Sequence, residues 1–312
     1  MIDKIKGALL GIAIGDALGV PVEFKSRAYL KQHPIKEMIG FVTHDQKLGT
    51  WSDDASLSFC QVEALISNFD LKSTTSLFLK WLEEGYWSAR GEVFDIGNTT
   101  IDSLYRFKHT GDPYKSGGGS VSDNGNGSLM RILPVTFTLK GFEMKERFRI
   151  VSEISSITHG HIRSIIACFY FTEYCLQIIE GKEKFIAYKE VQQSVVNFLI
   201  KSGIDLKEIE IFHRLLENEI WNLDESEISS SGYVVSSLEA SMWSFLKTEN
   251  FKDAVLNSVN LGEDTDTIGS ITGGIAGLYY GNNSIPVEWI ESIARKEDII
   301  DLADRLICKF LK

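Results

Sequence analysis

The chain has 312 residues, enough to bury most of its apolar surface without disulfide staples. Hydrophobic residues make up 44% and charged residues 24%, which excludes wholesale disorder. With 43 acidic against 32 basic side chains the net charge is −11, which excludes bulk nucleic acid as the main partner, since phosphate binding needs clustered Lys and Arg. Residues 2–16 read as the first helix. Gly7, Gly11 and Gly15 recur every four positions and leave one face as nearly bare backbone, which implies a close helix crossing. This apolar start invites a signal-peptide reading, but Asp16 interrupts it and no small-residue cleavage site follows. No run has the length of a bilayer span, so a cytoplasmic protein without membrane contact is expected.

A loop with Pro21, Glu23 and Pro34 comes next, and Lys36–Val42 is the one weak strand candidate. Residues 54–67 are amphipathic, with Leu57, Cys60, Ala64 and Leu65 on one face. Ser73 or Thr74 is the expected cap of another helix, with Leu77, Phe78, Trp81 and Leu82 as its apolar side. A helix over 97–107 follows, and then a glycine-dense loop from Thr110 to Gly127. The remaining predicted helices span 145–157, 162–179, 186–202, 206–217, 232–248, 251–260, 266–281, 286–294 and 297–311, with Pro286 in a tolerated first-turn position. The fold class is therefore all-α, a compact orthogonal multi-helix bundle, in one domain over 1–312. Cys60, Cys168, Cys175 and Cys308 show no CxxC spacing and sit among apolar residues, as buried thiols of a reducing compartment do.

Two acidic clusters stand out: Ser52-Asp53-Asp54 before one helix, and Asp264-Thr265-Asp266-Thr267, with Glu263 beside it, before the glycine-rich helix. One such cluster alone is explained by capping and the helix dipole. Two clusters that meet would repel unless a cation lay between them. A hard divalent ion, Mg²⁺ or Mn²⁺, suits carboxylate and hydroxyl oxygens, and two ions could share these ligands. The absence of His and Cys from both clusters argues against zinc. Asn124-Gly125-Asn126-Gly127-Ser128 is first a turn signal and second a nest of amides for phosphate oxygens. In Thr158-His159-Gly160-His161, the histidines are either ligands or part of a surface segment that caps a helix.

Taken together and in order, Gly7–Phe24, Gly49–Ser56, Phe94–Thr100, Gly125–Pro134, Thr158–His159, Ser231–Ala240 and Val259–Gly281 resemble the ADP-ribosylglycohydrolase family along almost the whole chain. The resemblance implies a metal-centred cleft and hydrolysis of the bond between the distal ribose of ADP-ribose and an acceptor. It implies Ser52, Asp53, Asp54, Asp264, Asp266 and Thr267 as ligands of two divalent cations. Glu23 and Asp95, with the ligand Asp54, form the implied catalytic set. Asn126, Gly127 and Ser128 match the loop that holds ADP-ribose, His159 a residue on its diphosphate or ribose side, and Tyr233 an aromatic on the nucleotide. Ser52 stands where Thr is usual, Ala55 where a second Thr is common, and Glu263 where Gly or Asp is usual; no implied ligand is lost. The partner is then an ADP-ribosylated protein or small molecule. Two alternatives stay open: a catalytically silent ADP-ribose-binding protein, and a metal-dependent hydrolase of another nucleotide or glycoside.

Overall fold

The structure, a computed structural model, describes residues 1–67 and 69–310. Its elements in order are α1 (Ile2–Gly19), α2 (Arg27–Gln32), α3 (Asp53–Ile66), α4 (Leu71–Glu84), α5 (Asn98–Thr110), α6 (Met144–Ser155), α7 (Ile162–Ile179) and α8 (Lys184–Lys201). There follow α9 (Leu206–Glu210), α10 (His213–Leu216), α11 (Val234–Leu246), α12 (Phe251–Val259), α13 (Thr265–Tyr280), α14 (Val287–Ser292) and α15 (Lys296–Phe310). Among the described residues no strand forms, and only two isolated bridges occur, Gly118 with His159 and Gly125 with Tyr233. The all-α expectation holds.

The two glycine-rich helices, α1 and α13, cross at the centre. A Cβ on Gly15 would stand 1.9 Å from the Gly269 carbonyl oxygen, and one on Gly11 would stand 2.1 Å from that of Gly273. Side chains are therefore excluded from the seam, and the backbones touch directly. Around this pair, α7, α11 and α12 bury apolar faces that include Phe169, Tyr170, Phe245 and Phe251.

Several local expectations give way to stronger local physics. Asp70, not Ser73 or Thr74, caps α4, and its carboxylate accepts from the Ser73 amide at 2.8 Å. The helix thus starts a turn earlier, and the two hydroxyls lie in its first turn. The 206–217 helix is broken in two at residues 211–212; Ile209, Phe212 and Leu215 still all bury, because two short turns serve the same spacing. Pro286 is the N-cap of α14 rather than a first-turn residue. Lys36–Val42 forms no strand: the chain turns at Phe41, whose amide donates to the Gln46 carbonyl at 2.7 Å. The loop before Gly127 contains two single 3₁₀ turns, Pro113–Lys115 and Val121–Asp123. Residue 311, the last of the expected final helix, lies outside the described residues.

Cys60, Cys168 and Cys175 are buried, but Cys308 is exposed on α15. Contrary to expectation, two segments are long and apolar enough for a membrane by length and composition: Ile2–Val22 and Ile162–Ile179. Both are wrapped in protein, 94% and 78% buried, so their apolar character is that of core helices.

Candidate active site

The site begins with one charge in an otherwise apolar helix. Asp16, fully buried near the end of α1, accepts hydrogen bonds from the amides of Ser52 at 2.8 Å and Ala55 at 2.9 Å. These are free amides at the start of α3, so Asp16 acts as a cap supplied from another helix. Nearby, the Thr265 hydroxyl donates to the Gly19 carbonyl at 2.8 Å and fastens the start of α13 to the end of α1. The α1–α13 crossing therefore brings the two acidic helix N-termini together.

They do meet. Asp54 Oδ2 accepts from Ser52 Oγ at 3.1 Å within its own cluster and from Thr267 Oγ1 at 3.3 Å in the other. Carboxylate oxygens of Glu23, Asp264 and Asp266 all lie within 4.8 Å of one another. Asp54 Oδ1 and Asp266 Oδ2 are buried with no hydrogen-bond partner. Burial first, and the neighbouring acids second, push the carboxyls of Asp53, Asp54 and Asp266 well above the usual range. Burial pushes Asp16 up to about 7 and, with Asp95 and Asp264 beside it, Glu23 up to about 10. An all-oxygen set with two orphaned carboxylate oxygens and, among the described residues, no lysine or arginine paired with it fits a hard divalent cation. Ser52, Asp53, Asp54, Asp264, Asp266 and Thr267 are the residues that could hold it.

Above this floor opens a cleft of about 710 Å³. Glu23, Asp53, Asp95, Asp264 and Thr267 line its acidic side. Asn126, Gly127 and His159 add uncharged groups to the same lining. Ser52, Asp54 and Asp266 lie beneath, outside the lining. Asn126 Nδ2 donates to Asp264 Oδ2 at 2.7 Å and to Ser237 Oγ at 2.8 Å, so the glycine loop is joined to the acidic set. A Cβ on Gly127 would stand 2.7 Å from His159 Cε1, so only glycine lets the imidazole lie against this loop.

Two expected binding residues are elsewhere. Ser128 is fully buried, and its hydroxyl accepts from Ser155 Oγ at 2.9 Å in the core. Tyr233 stands at the N-cap of α11, outside the cleft lining. The two histidines part company: His161 caps α7 by accepting from the Arg163 amide, whereas His159 is a buried wall of the cleft and not a surface residue.

Glu23 lies in the loop that carries Pro21. The segment is irregular beyond the 3₁₀ turn Val20–Val22, but it is anchored. The Phe24 amide donates to the Glu263 carbonyl at 2.7 Å, and the Glu263 amide donates to the Lys25 carbonyl at 2.8 Å. Glu23 is only 5% exposed, and its carboxylate meets His44 Nε2, which stands 4.0 Å from Asp95 Oδ1. Phe24, Asp95 and Glu263, all on the cleft, hold positive φ values of 63°, 57° and 63°. Such strain persists where the surroundings over-determine the backbone. His44 escaped the sequence reading because nothing in its irregular segment marks it; Asp16 was visible as a charge inside an apolar helix.

A sequence model of the family described as ADP-ribosylglycohydrolase matches residues 1–311. The ADP-ribosylarginine hydrolase Tri1 of Serratia proteamaculans (strain 568) is 32% identical over 98% of this chain and 79% of its own. The ADP-ribosyl-[dinitrogen reductase] glycohydrolase of Rhodospirillum rubrum is 28% identical over 94% of this chain and 91% of its own. A solved ADP-ribosylglycohydrolase-related protein complex aligns with a TM-score of 0.82 at 29% identity, covering 99% of this chain and 98% of that one. With the family model matching residues 1–311 and a relative 32% identical over nearly the whole chain, the chain belongs to the ADP-ribosylglycohydrolases, hydrolases of a glycosidic bond.

Proposed function

We propose that this chain cleaves ADP-ribose from the guanidinium of an arginine side chain, in the presence of two divalent cations, Mg²⁺ by preference over Mn²⁺. The observation that carries this is the joining of two acidic helix N-termini beneath the cleft, with orphaned oxygens on Asp54 and Asp266. The arginine acceptor is supported by the Tri1 relative, which bears the name ADP-ribosylarginine hydrolase, and by the acidic rim. Asp95 and Glu263 give a cationic guanidinium a favourable field.

In this reading Ser52, Asp53, Asp54, Asp264, Asp266 and Thr267 hold the ions. Bound cations would neutralise the acidic floor, hold ribose hydroxyls and polarise groups near C1. The chain's own residues do the rest. Asn126, Gly127 and His159, uncharged groups of the lining, hold ADP-ribose. Glu23, with Asp95 4.0 Å from the same imidazole, is the carboxyl that this reading assigns to C1 of the ribose. Water adds its oxygen to C1 as the C1–N bond breaks through an oxocarbenium-like state, and the water proton passes by way of a carboxylate to the departing guanidine. The four free cysteines support a reducing, cytoplasmic setting as part of the same proposal.

The test is hydrolysis of arginine- and serine-linked ADP-ribosyl peptides with Mg²⁺, with Mn²⁺ and with chelator. Release of ADP-ribose from the arginine peptide, lost on chelation and restored by Mg²⁺, is the expected result. Preference for the serine peptide would overturn the acceptor, and full activity under chelator would overturn the cations.

A further inference from the structure

Arg131 is fully buried on the segment that follows the glycine loop, and among the described residues it forms no ion pair. Its guanidinium carbon lies 4.6 Å from the centre of the Phe78 ring, while Nε and Nη1 have no hydrogen-bond partner. Only Nη2 is engaged. It donates to the Ile154 carbonyl at 3.2 Å and to the Thr158 hydroxyl oxygen at 2.8 Å. Besides its packing on Phe78, its contact with Thr158 is the one that leads to a residue of the cleft.

A guanidinium can only donate, so Thr158 Oγ1 accepts from it. The same oxygen lies 2.9 Å from His159 Nδ1. The hydroxyl proton is satisfied if it is given to Nδ1. If Nδ1 carried a hydrogen instead, two donors would face one hydroxyl and the Thr158 proton would be stranded in the interior, which is costly. Burial, followed by the charge of Arg131, pushes His159 down to about 3, so the ring is neutral with one hydrogen. The network places that hydrogen on Nε2. The ring lies against the glycine loop, and an ideal Cβ on Gly125 or Gly127 would sit 3.4 Å from Nε2. His159 lines the cleft.

We propose that Arg131, acting through the Thr158 hydroxyl, locks His159 as the Nε2–H tautomer and gives the cleft a neutral hydrogen-bond donor whose direction is set before any ligand arrives. Arg131 and Thr158 are positioning residues, and the donor serves an oxygen of the diphosphate or ribose. A preset donor spares the ligand the cost of reorganising the site. This rests on the reading of the cleft as the ADP-ribose site.

The test uses the full chain labelled with ¹⁵N-histidine, its long-range ¹H–¹⁵N spectrum recorded without ligand, and His159→Gln to assign the signal. The expected pattern is a pyridine-type Nδ1 and a protonated Nε2. In Thr158→Val this preference is lost and ADP-ribose binds about tenfold more weakly by calorimetry, the scale of one hydrogen bond. Thr158→Ser restores both. A protonated Nδ1 in the wild type overturns the proposal, as does a Thr158→Val protein that keeps the tautomer and affinity. Should Thr158→Val fail to fold, the wild-type spectrum decides by itself. If the wild type binds no ADP-ribose, the functional reading falls, and the ligand-free spectrum still decides the tautomer.

Discussion

Glu23 is held from three directions: His44 at its carboxylate, Thr43 Oγ1 on its carbonyl at 3.0 Å, and Glu263 through the Phe24 amide. A side chain anchored this firmly beside unpaired acids has a task that an exposed loop glutamate would not. If that task is proton transfer, Glu23→Gln keeps the shape and removes the function. Its kcat falls about 10²-fold or more, the scale for a positioned proton-transfer group. ADP-ribose affinity changes far less, since in the proposed mode Asn126, Gly127 and His159, rather than Glu23, hold the nucleotide. Rapid-quench turnover at saturating substrate, set beside calorimetric ADP-ribose binding, separates the two effects. A wild-type kcat would leave the proton chemistry to Asp95. At this scale the sequence was informative where chemistry is written in short motifs. Ser52, Asp53 and Asp54 with Asp264, Asp266 and Thr267 converge as their two motifs suggested. It was uninformative where a residue's role depends on which way it faces. Ser128 and Tyr233 sit beside cleft residues in sequence, yet a single step along a tight turn or helix cap points them elsewhere.

Elements were legible in proportion to their period. The span of α7, with its continuous apolar pattern, came out at the observed residues, and the glycine ridges of α1 and α13 foretold their crossing. Irregular segments were not legible, because their conformations are set by distant partners: the Glu23 loop is fixed by residues 41–46 and 263, far along the chain. The crossing makes its own prediction. A methyl group on Gly15 would overlap the Gly269 carbonyl oxygen, a backbone atom on a packed helix that cannot move aside. Gly15→Ala should therefore cost at least about 3 kcal/mol, at or beyond the usual range for overpacking, despite the better helix propensity of alanine. Separating the helices would also loosen Asp16 from the α3 amides, so activity should fall with stability. Gly119→Ala, where nothing lies within 4 Å of the added carbon, serves as the control and should melt as the wild type does. Thermal melts by circular dichroism compare the three proteins, and a Gly15→Ala melt close to the wild type would show that the seam is looser than its geometry implies.

At the scale of the whole molecule, the acidic floor opposes folding unless a cation compensates it. The chain is already at −11, and its most deeply buried carboxyls face one another rather than Lys or Arg. Natural sites accept such a cost where function needs it. Two consequences follow for stability. Chelation should lower the melting temperature, and Mg²⁺ should restore it along a saturating curve. At a hundredfold excess over Kd, mass action contributes about 2.7 kcal/mol. For a chain of 312 residues that corresponds to about 4 °C. The second consequence distinguishes a metal centre from a set of capping acids. Asp54→Asn removes one of the facing charges and one ligand oxygen. If the acids are there to hold a cation, the variant without metal should melt at or above the metal-free wild type, fail to respond to Mg²⁺, and be inactive. If they serve only the helix N-termini, loss of this first-turn charge should lower stability by about 0.3–1 kcal/mol, with chelator making no difference. Scanning calorimetry of both proteins, with Mg²⁺ and with chelator, reads the two cases apart. A wild type indifferent to chelation would leave the unpaired oxygens of Asp54 and Asp266 without the cation that their burial demands.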